Sequence, residues 1–193
     1  MTHADERNTE RTACVLVVDG FEEIEAITVV DVLRRAGVQT SVLGVVHRKV
    51  TGNHGITINV DASLGDVIAL GSRFDVVVLP GGMPGAAALR DSDVVKGFML
   101  EQRARGAAMA AICAAPIALG RFGILQGRRA TCFPGFEGQL DGATVVTDEA
   151  VVSDGDVVTS RGPGTAMAFA LTLVARLMGD AVATELGKRM LVH

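Results

Sequence analysis

The residue best placed to act as a nucleophile is Cys113, which follows a run of small apolar residues in the stretch AAMAAICAAP, from Ala107 to Pro116. Small apolar residues suit a strand that is buried on both faces, and proline is accepted in the first turn of a helix. The pattern therefore predicts a strand, a cysteine at the corner and then a helix. A cysteine at such a corner lies near the positive end of a helix, which favours the thiolate. The alternative is an inert cysteine packed in the core, since free cysteines are commonly buried.

Two other predicted strand ends carry groups that could act with this cysteine. The strand from Ala13 to Asp19 is followed by acidic residues that include Glu25. A later strand, from Asp75 to Leu79, is followed by Gly81 and Gly82. If the strands are neighbours in a parallel sheet, these ends converge and supply a carboxyl group and backbone N–H groups that can stabilise an oxyanion. Taken alone, the glutamate could equally be solvated, and the glycines could simply form a turn.

The length and composition indicate one domain. We assign residues 1–12 to a disordered polar tail and residues 13–193 to a single domain. A net charge of −4 without basic clusters argues against nucleic acid or an anionic membrane surface as a partner. No apolar run reaches the roughly 20 residues of a membrane span. The three cysteines lack CxxC spacing, which favours free thiols in a reducing cytoplasm and suggests no zinc site.

Strand and helix patterns alternate along the chain. The first unit is a strand at 13–19, an amphipathic helix that begins at Glu22 or Glu23 and ends at Arg35, and a strand at 39–46, which together form a right-handed βαβ unit. The remaining expected elements are strands at 75–79 and 107–112, helices at 91–105, 114–122, 166–178 and 180–191, hairpins at 49–61 and 151–160, and a loop at 127–142 with a brief strand at 130–132. This alternation predicts an α/β fold, a three-layer αβα sandwich around a mostly parallel sheet.

These segments resemble the ThiJ/PfpI superfamily, also called the DJ-one superfamily, and in particular the branch of the Parkinson's-disease-associated protein deglycase. The matching stretches run in the family's order over nearly the whole chain from Ala13, and they are DGFEEIEAITVVDVLRRAGV, DASL, FDVVVLPGG, AAICAAP and TSRGPGT. The resemblance implies a flavodoxin-like sandwich, a homodimer and a nucleophile-elbow cysteine bonded to a glutamic acid. Three residues of the first helix match positions near the dimer contact of relatives, and we expect a structural role for them: Asp31, Arg34 and Arg35.

The resemblance also assigns roles to the candidate site residues. Cys113 matches the reactive cysteine, and Glu25 matches the glutamic acid whose protonated carboxyl group steadies it. Gly81 and Gly82 match the backbone of the oxyanion hole. We group the N–H of Ala114, the residue after the cysteine, with these backbone groups.

The sequence departs from relatives at the positions where a histidine would assist the cysteine. Ala114 stands where the protease-like and glyoxalase-specialised branches have a histidine, and Phe133 stands where the deglycase has one. His54 replaces a basic residue of the deglycase hairpin, and we do not assign it a catalytic role. Cys132 is either a packing residue or a resolving thiol. The stretch RGPGT at 161–165 either binds an anion at a helix start or forms a capped turn.

Two functions from different classes fit these residues. The first is a cofactor-free and metal-free enzyme in which Cys113 attacks a 2-oxoaldehyde such as methylglyoxal or glyoxal, or its early protein adduct, while Glu25 moves protons. Such an enzyme is a glutathione-independent glyoxalase, which is a lyase, or a deglycase, which is a hydrolase. The second is an oxidative-stress sensor or redox-regulated chaperone in which Cys113 becomes a sulfinic acid. A dinucleotide-binding module is excluded, because the residues at 19–23, DGFEE, place acids where a pyrophosphate would bind.

Overall fold

The computed structural model describes residues 10–192, and its centre is a seven-stranded sheet. The strands are β1 (Thr12–Val17), β2 (Gln39–Gly44), β3 (Lys49–Thr51), β4 (Thr57–Asn59), β5 (Ala62–Ser63), β6 (Val76–Leu79), β7 (Ala108–Ile112), β8 (Arg129–Ala130), β9 (Thr144–Val145), β10 (Val151–Asp154) and β11 (Val157–Ser160). The central sheet has the order β10-β11-β7-β6-β1-β2-β5. All its pairs are parallel except the β10–β11 hairpin, which confirms the mostly parallel α/β fold.

Helices cover both faces of this sheet. They are α1 (Glu23–Arg35), α2 (Leu64–Ala69), α3 (Gly85–Arg90), α4 (Asp93–Ala104), α5 (Pro116–Arg121), α6 (Ala166–Met178) and α7 (Asp180–Arg189). The apolar residues of α1, α6 and α7 pack in one core cluster and those of α2 to α5 in another. Alternate residues of β1, such as Val15 and Leu16, contribute to the two opposite clusters, because successive side chains of a strand point to opposite faces. The expected three-layer sandwich is therefore confirmed.

Helix α1 begins next to the site because Glu22 caps it. The Glu22 carboxylate accepts a hydrogen bond from the backbone N–H of Glu25 at 2.7 Å, which satisfies one of the free donors at the helix start. Arg34 and Arg35 occupy the last turn, where positive charge complements the helix dipole. The chain then turns at Gly37, whose φ of 83° is readily adopted by glycine.

The structure differs from the sequence-based expectations mainly in short elements. The expected hairpin at 49–61 is the antiparallel pair β3–β4, and the expected strand near 130 is β8, which pairs with β9. The sequence analysis missed β5, α2 and α3, each of six residues or fewer. Thr12 lies in β1 and not in a tail, whereas the rest of that assignment falls mostly on residues 1–9, outside the described residues. Within residues 10–192, no helix has the length and apolar character needed to cross a membrane.

Candidate active site

Cys113 lies at a sharp corner immediately after β7, three residues before α5. Its φ of 64° lies in the left-handed region, which costs a non-glycine residue roughly 1–2 kcal/mol. Two backbone hydrogen bonds hold it there: its N–H donates to the Ser160 carbonyl at 2.9 Å, and its carbonyl accepts from the Phe133 N–H at 2.7 Å. Such strained residues concentrate at functional sites. Cys113 is only 9% exposed, so any reagent must reach its sulfur through a narrow opening.

Glu25 lies in the first turn of α1 and has no exposed surface. Its Oε2 accepts a hydrogen bond from the N–H of Gly81 at 2.7 Å. Its Oε1 is buried and has no hydrogen-bond partner among the described residues. One oxygen is therefore fixed by the backbone, and the other is free to exchange a proton with a neighbouring group.

The predicted convergence of the strand ends is visible at Gly81. A Cβ atom on this residue would lie 2.6 Å from Cys113 Cβ and 2.8 Å from Glu25 Oε2, so the glycine fills the narrow space between the two side chains. Gly82 is packed equally tightly, with φ at 88° and a hypothetical Cβ 2.5 Å from the N–H nitrogen of Glu22. The structure thus brings together all four predicted groups, and only glycine permits the approach at these two positions.

The predicted oxyanion role of Gly81 needs correction. Its single N–H already donates to Glu25, so it positions the carboxyl group and is not free to bind a substrate oxygen. The N–H groups of Gly82 and Ala114 instead lie close enough to Cys113 to lower the pKa of its thiol. These two donors remain the candidates for stabilising negative charge beside the sulfur.

The two titratable groups of the site share one proton. Burial raises the pKa of Glu25 to about 7, against the hydrogen bonds from Gly81 and Cys113, while the charge of Glu22 adds to the rise. Burial, followed by the charge of Glu25 and the hydrogen bond with it, raises the pKa of Cys113 to about 12. The prediction that the corner position favours a thiolate is therefore wrong for the pair with an ionised Glu25. Desolvation and the adjacent carboxylate outweigh the backbone N–H groups.

The other predicted residues surround this pair. Cys132 is buried, and its pKa is raised to about 11 by burial and then by Glu137, with Arg161 acting in the opposite direction. Phe133 is exposed, and its ring lies against Gly162, 3.2 Å from the position of a hypothetical Cβ. No imidazole occupies that position, so the pair depends on its own proton.

The dimer-contact positions of α1 make contacts within the chain. Asp31 and Arg35 form an ion pair at 2.6 Å. Arg34 donates to the Thr40 carbonyl and to Asp61, both at 2.9 Å or less through Nη2. These interactions agree with the structural role expected for the three residues.

The sequence analysis missed the acidic residues at the start of α1 and their partner in the hairpin. His54 lies in the β3–β4 turn, and its Nδ1 is 3.0 Å from Glu23 Oε2. Burial acts to raise the pKa of Glu23, but the hydrogen bonds from the His54 ring and from backbone N–H groups outweigh it and lower that pKa overall. Their proximity depends on how the hairpin folds over α1, which the separation of about 30 residues in sequence does not reveal.

A parallel α/β sandwich with a strained corner cysteine beside a buried glutamate defines a class of proteins with a nucleophile elbow. The model of the DJ-1/PfpI family matches residues 11–176, and the chain belongs to that family. It is 40% identical over 184 residues to Protein dj-1beta of Drosophila melanogaster, covering 94% of this chain and 97% of that protein. The crystal structure of that relative superposes with a TM-score of 0.91 and covers 95% of this chain and 99% of the other.

Two other relatives bear on the chemistry. Glutathione-independent glyoxalase DJR-1.2 of Caenorhabditis elegans is 36% identical over 172 residues, covering 88% of this chain and 90% of that protein. The structure described as Toxoplasma gondii DJ-1, oxidized, superposes with a TM-score of 0.88 at 33% identity, covering 94% of this chain and 98% of that chain. The family therefore includes a protein named as a glyoxalase and a structure described as oxidised.

Proposed function

We propose that this protein is a cysteine-dependent enzyme that converts 2-oxoaldehydes to 2-hydroxy acids without an organic cofactor or a metal. One observation carries the proposal: a fully buried carboxyl group, with one oxygen fixed by Gly81 and the other without a partner among the described residues, lies against Cys113. The relative named as a glutathione-independent glyoxalase supports the same reaction class.

The reaction begins when the shared proton moves to Glu25 and leaves a thiolate on Cys113. With a protonated neighbour, the electrostatic repulsion that raises the thiol pKa is gone, and the carboxyl group donates a hydrogen bond instead of accepting one. The sulfur attacks the aldehyde carbon of methylglyoxal, a C–S bond forms, and the carbonyl oxygen takes the proton from Glu25. The product of this step is a hemithioacetal.

The Glu25 carboxylate then acts as a base. It removes the proton from the former aldehyde carbon, and the electron pair forms an enediol as the ketone oxygen takes up a proton. Reprotonation of the adjacent carbon and loss of the hydroxyl proton give a thioester of Cys113. Water cleaves the C–S bond, releases lactate and returns the thiolate, so the sum is methylglyoxal plus water to lactate. The N–H groups of Gly82 and Ala114 stabilise the oxyanion of this last step.

The same attack on an early methylglyoxal or glyoxal adduct of a protein thiol or amine gives the deglycase variant of the reaction. The Cys113 sulfur forms its C–S bond to the adduct carbon, and the protein thiol or amine leaves with a proton supplied by Glu25. Small-aldehyde turnover and release of the modified amine distinguish the two variants. Both require the same two residues.

The test is lactate production from methylglyoxal by purified protein in a chelator-containing buffer. We expect C113A to produce no lactate above the uncatalysed background. C132A is the matched control, because it removes another buried thiol that makes no contact with Glu25 in the proposed mechanism. Equal rates for the wild type and C113A would reject the enzyme assignment.

A sensor or redox-regulated chaperone is the second candidate, and the partnerless Glu25 Oε1 beside Cys113 favours it. Two equivalents of hydrogen peroxide convert the thiol to a sulfinic acid and form two molecules of water, and a protonated carboxyl group can donate a hydrogen bond to a sulfinate oxygen. The relative whose structure is described as oxidised agrees with this chemistry. Mass spectrometry after mild peroxide should find oxidation on Cys113 before Cys14 and Cys132, and equal oxidation of all three would reject a tuned sensor.

We also propose that the protein forms a homodimer through the outer face of α1 and the β3–β4 hairpin. Ile24, Ile27 and Ile56 are 58%, 44% and 56% exposed there, and exposed apolar side chains that lie together mark association surfaces. Light scattering on the wild type should give the mass of a dimer and on Ile27→Glu that of a monomer. Ile68→Glu, at an exposed isoleucine of α2, is the control that should remain dimeric.

The cytoplasm is the compartment that we propose for this chemistry. All three cysteines are free and buried, which suits a reducing environment. Cell fractionation with antibodies against the protein should place it with cytoplasmic markers, and enrichment in an oxidising compartment would reject the proposal.

A further inference from the structure

A second group of possible ligands lies between the start of α1 and the turn of the β3–β4 hairpin. Glu22, Glu23 and His54 each direct one donor atom to this region, and the three atoms lie within 4.8 Å of one another. Two oxygens and one imidazole nitrogen form a donor set that divalent transition metals accept. The group contains no thiol and is separate from the pair formed by Cys113 and Glu25.

Each carboxylate uses one oxygen to hold its position. Glu22 Oε2 accepts from the Glu25 N–H at 2.7 Å. Glu23 Oε1 accepts from the N–H of His54 at 2.8 Å and from that of Ile56 at 3.3 Å. Metal-binding carboxylates are commonly oriented by such additional hydrogen bonds, which fix the ligand before the cation arrives.

The remaining donor atoms have the spacing of neighbouring metal ligands. His54 Nδ1 lies 3.0 Å from Glu23 Oε2 and 3.8 Å from Glu22 Oε1. Ligands bound at about 2.1 Å to one cation are separated by about 3.0 Å in octahedral geometry and about 3.4 Å in tetrahedral geometry. A small movement of the exposed His54 ring therefore brings all three atoms onto one centre.

The charge at this position is not balanced by the protein. Glu22 and Glu23 are each only 5% exposed, and among residues 10–192 neither forms an ion pair with an arginine or a lysine. Glu22 Oε1 accepts no hydrogen bond from any described residue, although the side chain is almost completely buried. Buried carboxylates are normally paired or bound to metal, so this unpartnered oxygen is a second observation that points to a cation.

The hairpin is built to close directly over these carboxylates. Gly52 lies against Glu23, and any Cβ at this position would overlap the carboxyl group. The backbone of the turn can therefore reach Glu23 and place His54 above it. The imidazole faces solvent, which gives a cation and its bound water a route to the site.

We propose that Glu22, Glu23 and His54 bind one divalent cation of the Zn²⁺ type, with water completing its coordination. Glu22 Oε1, Glu23 Oε2 and His54 Nδ1 are the protein ligands. The neutral imidazole binds the cation, so binding weakens as His54 becomes protonated below about pH 6.5. The proposal does not depend on the reaction assigned to Cys113.

Titration calorimetry with ZnCl₂ on protein first treated with chelator tests the site. We expect the wild type to bind one equivalent that C113A retains and that weakens at least about tenfold in both His54→Ala and Glu22→Gln. The glutamine keeps an oxygen that can cap α1, so this variant should fold. His47→Ala, at an exposed histidine outside the cluster, is the matched control and should bind like the wild type.

The opposite results are equally clear. No binding to the wild type, or equal affinity of the wild type and His54→Ala, would overturn the proposal. Loss of the bound equivalent in C113A alone would place the cation on the thiol. Co²⁺ provides a further check, because a sulfur ligand adds an intense near-ultraviolet charge-transfer band that the proposed oxygen and nitrogen ligands do not produce.

Discussion

Replacing Gly81 by alanine should damage both stability and activity, because this residue separates the two groups of the site. The new methyl carbon would lie 2.6 Å from Cys113 Cβ and 2.8 Å from Glu25 Oε2. Carbon atoms normally approach to about 3.5 Å, so one neighbour must move by almost 1 Å. Cys113 resists this movement because its N–H and its carbonyl are both hydrogen-bonded to other segments. Such overpacking costs roughly 1–3 kcal/mol of the free energy of unfolding.

Gly97 supplies a control with the same chemical change and the opposite expected sign. It lies in α4, is exposed, and a Cβ there would have no atom within 4 Å. Alanine in an exposed helix interior is more stable than glycine by about 0.5–1 kcal/mol. Urea unfolding should therefore place the two variants about 1.5–4 kcal/mol apart, on opposite sides of the wild type.

The activity of the same two variants tests the geometry of the site. A displacement of about 1 Å between reacting groups can lower a rate roughly 100-fold, so G81A should lose most lactate production while G97A keeps the wild-type rate. If G81A unfolds at the same urea concentration as the wild type and forms lactate equally fast, the close approach of Cys113 and Glu25 at Gly81 is refuted.

Three further predictions concern the shared proton, and each is measured with chelator present. Glu25→Gln keeps an acceptor for the Gly81 N–H but cannot transfer a proton, so lactate production should fall by about 10²–10⁴ while the protein stays folded; an active variant would contradict the role of the carboxyl group. Because the folded-state pKa of Glu25 is raised from 4.5 to about 7, its contribution to stability is complete below pH 4.5 and is lost as the pH rises through 7. Urea unfolding at pH 5 and pH 8 should show a wild-type loss of up to about 3 kcal/mol that Glu25→Gln lacks, and equal pH dependence in both proteins would contradict the burial effect. The rate of lactate formation should rise through pH 7 and then stay level to about pH 10, since the reactive state holds one proton on the pair; a decline near pH 8 would show that the two groups titrate independently.

The sequence predicted the main elements and the meeting of the site residues because both depend on strong local patterns. The apolar run before Cys113 and the amphipathic pattern of α1 each specify an element, and the rule for parallel strand ends then places their termini together. The short helices α2 and α3 were missed because six residues give barely two turns, too few for a recognisable period.

What the sequence could not show depends on single hydrogen bonds and on burial. The N–H of Gly81 was available for two acceptors, and only the folded position of Glu25 decides between them. Similarly, the helix start and the desolvation of Cys113 have opposite effects on its pKa, and their balance requires the depth of burial. His54 and Glu23 come together only because the hairpin folds over α1.

The absence of a histidine beside Cys113 links the two candidate functions to one protonation state. Both attack on an aldehyde and attack on peroxide require the thiolate, and here the thiolate forms when Glu25 takes the proton from the sulfur within the one-proton state of the pair. Burial of Glu25 favours this transfer because it makes the charged carboxylate costly, whereas burial of Cys113 opposes it. Substitutions that admit water to Glu25 should therefore slow lactate formation and peroxide oxidation together. Substitutions that affect only the fit of the aldehyde should slow the first and leave the second unchanged.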